Sequence, residues 1–268
     1  MQSLSVIITT FNEEHNIEGV LESVQWADEI LIVDSFSTDR TLELARKYPV
    51  RILQRAYEGP ADQKNWIIPQ ANHEWILLLD ADERVTPALK KEVLNIIGQA
   101  SIDFDAFWIG RQNFFMGEKV RYSGWQGDAV IRLFRRDVCR YNDQQVHEEI
   151  ITDGIRISRL KSKMEHYTFR DTSHFLDKMR RYALWSAQDH LKKTPRVTFF
   201  HLYLKPFFRF LKHYLWQGGF LDGKVGFIIS RIMAWGVFLR YLYIKERHNG
   251  ATAQRNNSTA GKEEEIGR

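Results

Sequence analysis

Over the first hundred positions, short continuous apolar runs alternate with stretches of helical spacing. Leu4 to Thr10, Glu29 to Asp34, Val50 to Leu53 and Trp75 to Leu79 are rich in β-branched and aliphatic residues, which predicts strands buried on both faces. Between them, Asn16 to Val24 and Asp39 to Tyr48 repeat their apolar positions with the period of an amphipathic helix. Thr86-Pro87 offers a capping hydroxyl and a first-turn proline for a helix running to about Gln99. This alternation predicts an open, doubly wound, mainly parallel α/β sheet with helices on both faces. Ligands of such sheets bind beyond the carboxyl ends of the strands.

Polar residues gather where those strands end. Thr9-Thr10-Phe11-Asn12-Glu13 follows the first strand, Asp34 to Asp39 the second, and Asp80-Ala81-Asp82-Glu83-Arg84 the fourth. Ser37, Thr38 and Asp39 also suit helix capping. Asp34 closes a run of aliphatics and needs a partner, which the base or ribose hydroxyls of a nucleotide would supply. Asp80 and Asp82, two residues apart on a turn, suit a hard cation such as Mg²⁺ or Mn²⁺ held against a diphosphate, although a solvated turn uses the same residues. No G-x-G-x-x-G or G-x-x-x-x-G-K-[ST] run follows a strand, so neither a dinucleotide nor a P-loop site is expected. Phosphate charge then falls to a metal and to side chains.

Composition sets the frame. A chain of 268 residues, 44% hydrophobic, can bury a sizeable core. Its single cysteine, Cys139, excludes an intramolecular disulfide and fits a reducing compartment. The first residues, Met1 to Ser5, lack the basic and apolar pattern of a signal peptide, so a cytoplasmic location is expected. The net charge of +4 conceals an asymmetry: residues 1–155 carry 16 Lys and Arg against 25 Asp and Glu, and residues 156–248 carry 19 against 6. A basic surface attracts nucleic acid, anionic lipid or phosphorylated glycans by the same field.

The segments Val6 to Glu14, Ile32 to Ser35, Gln63-Lys64-Asn65 and Leu77 to Glu83, in that order and spacing, resemble the inverting family 2 glycosyltransferases of the GT-A fold. The resemblance implies that Thr10, Asn12, Glu13 and Asp34 surround the nucleotide base and ribose, with Lys64 beside uracil or phosphate. It places Asp80 toward the ribose and Asp82 on the metal. Downstream, Ser123 to Arg136 and Val146-His147-Glu148-Glu149 resemble the small transferases that add glucose to the heptose region of the lipopolysaccharide inner core. UDP-glucose is the donor this implies, and a lipid-linked saccharide the acceptor. Inverting transfer needs a base for the acceptor hydroxyl. The resemblance makes Asp128 the first candidate, since the related enzymes place an acidic residue there after the donor site, and Glu148 the rival. By the same resemblance His147 is a candidate to complete the metal or diphosphate site, as a C-terminal histidine does in many GT-A enzymes. Trp125, in a loop between Gly124 and Gly127, suits the face of a sugar ring, and Arg132 a phosphate or acceptor contact.

The expected organisation is a catalytic domain over residues 1–155, with a nucleotide-sugar half to about 100 and an acceptor half beyond it. A basic, aromatic-rich helical region follows over residues 156–248, then a disordered polar tail over 249–268. The run Val225 to Ile244 has the length of a membrane span, but Arg231 and Arg240 favour helices lying on an anionic membrane face, or packed on the catalytic domain. A nucleic-acid-binding reading leaves the acidic rim at three strand ends unexplained, so no nucleic acid is expected. A processive polysaccharide synthase is disfavoured by the lack of a Gln-x-x-Arg-Trp motif and of several spans.

Overall fold

A computed structural model describes residues 2–142, 149–169 and 172–266. Its contacts divide the chain into two units, Met1–Phe114 with Gly127–Thr168, and Phe115–Gln126 with Phe169–Arg268.

The first unit is built on a mixed sheet. The four expected strands form as β1 (Leu4–Thr10), β2 (Glu29–Asp34), β3 (Arg51–Gln54) and β4 (Trp75–Asp80). They are joined by β5 (Glu83–Arg84), β6 (Ala106–Phe115), β8 (Ala129–Arg135) and β9 (Ile157–Phe169); β7 (Glu118–Lys119) belongs to the second unit. The sheet order is β3-β2-β1-β4-β8-β6-β9-β5. β1 pairs in parallel with both β2 and β4, and β2 with β3, whereas β8 runs antiparallel to β4 and to β6. With β2 on one side of β1 and β4 on the other, the strand order reverses at β1, the switch point at which open α/β sheets take their ligands.

Side-chain alternation assigns each strand to two cores. Val6, Ile8, Ile30, Ile32, Leu77 and Leu79 pack against α1 (Ile17–Val24), α2 (Thr41–Ala45) and α4 (Pro87–Ile97). Ile7, Leu31, Val33, Ile76 and Leu78 meet α3 (Pro60–Ile67) on the other face. Every residue from Trp75 to Leu79 is fully buried, each worth roughly 1.5–3 kcal/mol relative to exposure. Thr86 caps α4 as its sequence implies, accepting the Leu89 amide at 3.2 Å.

The first unit extends past the boundary expected at residue 155. Residues 157–169 form β9 instead of entering a helical region, because Leu160, Met164, His166 and Thr168 alternate inward while Arg159, Lys161 and Lys163 alternate outward. The doubly wound half of the GT-A expectation is present in β1–β4, and the antiparallel β8 and β6 extend it into a mixed sheet.

The second unit is helical: α5 (Thr172–Leu191), α6 (Lys205–Leu211) flanked by π-helical turns Phe200–Leu204 and Lys212–Trp216, and α7 (Gly223–Ile266). Phe115, Val120, Phe175, Ile229 and Ile232 form one apolar cluster, and Ala187, Val237, Tyr241 and Ile244 another. α7 continues as helix to Ile266, through the polar stretch beyond residue 248 that was expected to be disordered.

Candidate active site

The carboxyl ends of β1 and β2 are laced together. Asn12 accepts the Thr38 amide at 2.8 Å on Oδ1 and its own amide donates to Ser37 Oγ at 2.8 Å. The Glu13 amide donates to Thr41 Oγ1 at 2.7 Å, and Glu13 Oε2 accepts from Asn16 Nδ2 at 2.8 Å. Asn12 and Phe36 both take positive φ, 55° and 62°. Such backbone costs roughly 1–3 kcal/mol and gathers where a ligand is bound. Phe11 and Phe36 are more than half exposed on this rim. Asp34 is fully buried and already satisfied, accepting from Ser37 amide and hydroxyl and from Gln54 Nε2. Thr10 Oγ1 and Gln63 Oε1 are buried without a hydrogen-bond partner.

Asp80 sits in a nest of cations. Thr9 Oγ1 donates to its Oδ1 at 2.9 Å, Lys64 Nζ lies 3.7 Å from the same oxygen, and Arg132 Nη2 donates to Oδ2. Burial alone would raise the carboxyl, but Arg132 and Lys64 overcome it and hold Asp80 well below the usual carboxylate range. Glu83, fully buried, accepts from Arg132 at 2.9 Å and from the Asp80 amide at 3.0 Å. Arg132 therefore spends its guanidinium on Asp80 and Glu83. The acceptor contact expected of it is not what its position offers, because Ile131 to Phe134 of β8 are all buried.

The turn after β4 leads directly into β5, and β5 pairs with β9 so that Glu83 stands opposite His166. The Tyr167 amide donates to Asp82 O at 2.8 Å, tying the turn to β9. His166 Nε2 then lies 3.4 Å from Asp82 Oδ2. His147 and Glu148, expected as metal ligand and alternative base, lie outside the described residues. His166 was missed, although its inward phase in a strand of outward-facing lysines marks a polar residue placed against the core.

A single amide joins this pair to Asp128. Asn113 Nδ2 is 2.9 Å from Asp128 Oδ2, and Asn113 Oδ1 is 2.7 Å from His166 Nδ1. An ionised carboxylate only accepts, so the amide nitrogen must face Asp128 and the amide oxygen His166. In the neutral ring the proton accordingly sits on Nδ1, and Nε2 presents a lone pair on the Asp82 side. Thr168 Oγ1 lies 2.9 Å from Nδ1 and 3.2 Å from Nε2, along the edge of the ring between them. Asp128 also receives a fork from Arg111, Nε to Oδ2 at 3.0 Å and Nη2 to Oδ1 at 2.7 Å. Burial would raise Asp128, yet Arg111 and then Asn113 bring it below its ordinary value. Oδ2 is thus doubly engaged, whereas Oδ1 takes one bond and keeps a lone pair.

Among the described residues no group of three or more His, Cys, Asp and Glu side chains is gathered. Asp82 and His166 fit a divalent cation that fills the remainder of its shell with phosphate oxygens and water. Trp125, expected against a sugar, belongs to the second unit, where it packs on the Phe115 and Phe175 cluster.

A model of the family described as glycosyl transferase family 2 matches residues 5–184. The chain is 30% identical over 251 residues to the lipopolysaccharide core biosynthesis glycosyltransferase LpsC of Rhizobium meliloti (strain 1021), covering 91% of this chain and 93% of that protein. It is 26% identical over 256 residues to the uncharacterized glycosyltransferase RT0209 of Rickettsia typhi, covering 92% and 88%. The solved structure of Staphylococcus aureus TarS 1–349 in complex with UDP aligns with a TM-score of 0.46 at 16% identity, covering 92% of each chain.

Proposed function

The chain belongs to glycosyl transferase family 2, and on that premise we propose that it is a metal-dependent, inverting transferase moving one sugar from a nucleotide donor to a saccharide. The donor we assign is UDP-glucose, and the acceptor a heptose of the lipopolysaccharide inner core, met as a lipid-linked saccharide at the cytoplasmic face of the inner membrane. Similarity to a protein named for lipopolysaccharide core biosynthesis supports the acceptor class. The observation that carries the reading is Asp82 against His166 at 3.4 Å, one amide away from Asp128.

Each part of the site has a task in this chemistry. The acceptor oxygen forms a bond to the anomeric carbon as the bond to the nucleoside diphosphate breaks on the opposite face, and the hydroxyl proton passes to a carboxylate. Asp128 Oδ1, with its spare lone pair, takes that proton. Asp82 and His166 would hold Mg²⁺ or Mn²⁺, which when bound supplies positive charge to the departing diphosphate. Thr10, Asn12, Glu13 and Asp34 form the nucleoside end, with Lys64 and Asp80 between it and the cation. Asp80, kept ionised by Arg132 and Lys64, accepts from a ribose hydroxyl.

The test is sugar transfer from a panel of UDP-sugars to lipid-linked core acceptors with Mn²⁺ or Mg²⁺. Glucose transfer that Asp82→Ala abolishes is the expected result. Transfer of a different sugar would remove the donor assignment and leave the family reading intact. Wild-type activity in Asp128→Asn would move the base role to Glu148.

A further inference from the structure

The continuous helical stretch from Phe199 through α6 to Trp216 is turned inside out relative to a soluble helix. Besides the single Lys212, its exposed positions come in adjacent pairs beginning at Phe199, Tyr203, Phe207 and Leu215, one helical turn apart or a multiple of it, and every member of those pairs is a large apolar residue. Phe199 is 67% exposed and Trp216 72%. Apart from Lys212, which is exposed, the basic residues of the stretch are partly or fully buried. Lys205 Nζ donates to Tyr241 Oη at 2.7 Å, and His213, buried, meets Ser123 O at 3.0 Å. Arg209 is half-buried, and both its burial and the nearby Arg240 lower its affinity for a proton. Cations that ordinarily face water are taken inward, and aromatics that ordinarily fill a core are turned out. An apolar stripe of this length on a monomer marks a surface that something else covers.

We propose that this face, Phe199 to Trp216 with Phe220 and Leu221 beyond it, is seated in the interfacial layer of an anionic bilayer, the helix lying along the membrane plane. Charge selects the occupant. Between residues 190 and 221 the chain carries six Lys and Arg and no Asp or Glu. Lys192, Lys193 and Arg196 are exposed just before the stripe, Lys212 on its rim and Lys224 just after it. Aromatic side chains with cations at both ends match the headgroup and acyl boundary of an anionic leaflet. A second copy of this chain would bring the same cations against themselves.

The seat also decides how α7 is used. Gly219–Asn249 is long and apolar enough to cross a bilayer. However, Ile229, Ile232, Val237, Tyr241 and Ile244 are buried within the unit, and Arg231 is exposed in the middle of that stretch. A charge there opposes spanning, so α7 serves as the support on which the aromatic helix rests. This inference stands on the second unit alone and does not require the transferase reading.

The test is co-sedimentation of the full chain with phosphatidylcholine vesicles containing or lacking phosphatidylglycerol, beside Phe207→Ser/Phe208→Ser and Trp216→Phe variants whose helix content is checked by circular dichroism. The wild type is expected to bind the anionic vesicles more tightly, to weaken at high salt, and to be released by alkaline carbonate. The double variant should bind at least about tenfold more weakly, and Trp216→Phe should lose most of the lipid-induced blue shift in emission. Undiminished binding by the folded double variant would overturn the proposal, as would retention through carbonate, which assigns α7 as a span. Failure of the wild type to bind vesicles overturns it too, and light scattering that shows a dimer dissociated by the double variant would give the face to a second copy.

Discussion

Asn113 carries more of the site than its neutral side chain suggests. By facing Asp128 with its nitrogen and His166 with its oxygen, it orients the imidazole and links His166 to Asp128, the proposed base. Asn113→Leu keeps the volume and removes both bonds. Mn²⁺ affinity, read by electron paramagnetic resonance, should fall about 10- to 100-fold, and ¹⁵N NMR of the His166 ring should show the loss of the single Nδ1–H form. Unchanged affinity would reduce Asn113 to packing.

Arg111 has a separate effect at the same carboxylate. Burial raises Asp128 and the Arg111 fork more than offsets it, so the folded value lies below the ordinary 3.8. A depressed carboxyl stabilises the fold above its unfolded value and loses that contribution as pH falls through the folded one. In Arg111→Met the carboxyl should rise, and the acid limb of the pH profile of kcat/KM should move to higher pH. An acid limb that stays in place would show that Asp128 is not the group titrating.

Among the elements, two contacts are open to direct test. A Cβ added to Gly226 at the start of α7 would lie 1.8 Å from the Gly219 carbonyl oxygen, a backbone atom that cannot swing away. Gly226→Ala should destabilise the second unit by about 1–3 kcal/mol, measured by denaturant unfolding. Thr86 caps α4 and also donates to Lys163 O at 2.9 Å, joining that helix to β9. Thr86→Ala should cost about 0.5–2 kcal/mol in the same measurement.

The elements also show what a sequence displays and what it hides. β1, β2 and β4 are buried on both faces, so they leave short, unbroken runs rich in β-branched and aliphatic residues, whose length marks them as strands. β9 faces solvent on one side, and Lys161, Lys163 and Glu165 between its inward residues make it read as part of a basic region. His166 lies on that strand, so composition alone does not set it apart from the basic residues around it. The pairing of Glu83 with His166 spans more than eighty residues of chain, and no local pattern reports it. Lys64 and Asp80 were legible because their motifs are local, whereas Glu83, Arg111 and Asn113 matter only through partners that the fold brings to them.

At the scale of the whole molecule, acidic and basic residues are divided along the chain in the same sense as its chemistry. The acidic first 155 residues contain the strand ends that suit a metal and a nucleotide, and the basic stretch after them contains the outward-facing aromatics. Family membership accounts for the first assignment, and the inverted helix from Phe199 to Trp216 for the second. The central claim is that Asp82 and His166 together serve a divalent cation in sugar transfer. It is tested most directly by the rate of glucose transfer from UDP-glucose as Mn²⁺ is titrated, comparing wild type with Asp82→Ala and His166→Ala. The wild-type rate should depend on the metal and fall at least about a hundredfold in Asp82→Ala, with His166→Ala needing far more Mn²⁺ to reach its plateau. A rate indifferent to Mn²⁺ and Mg²⁺, or an Asp82→Ala variant as active as wild type, would contradict it.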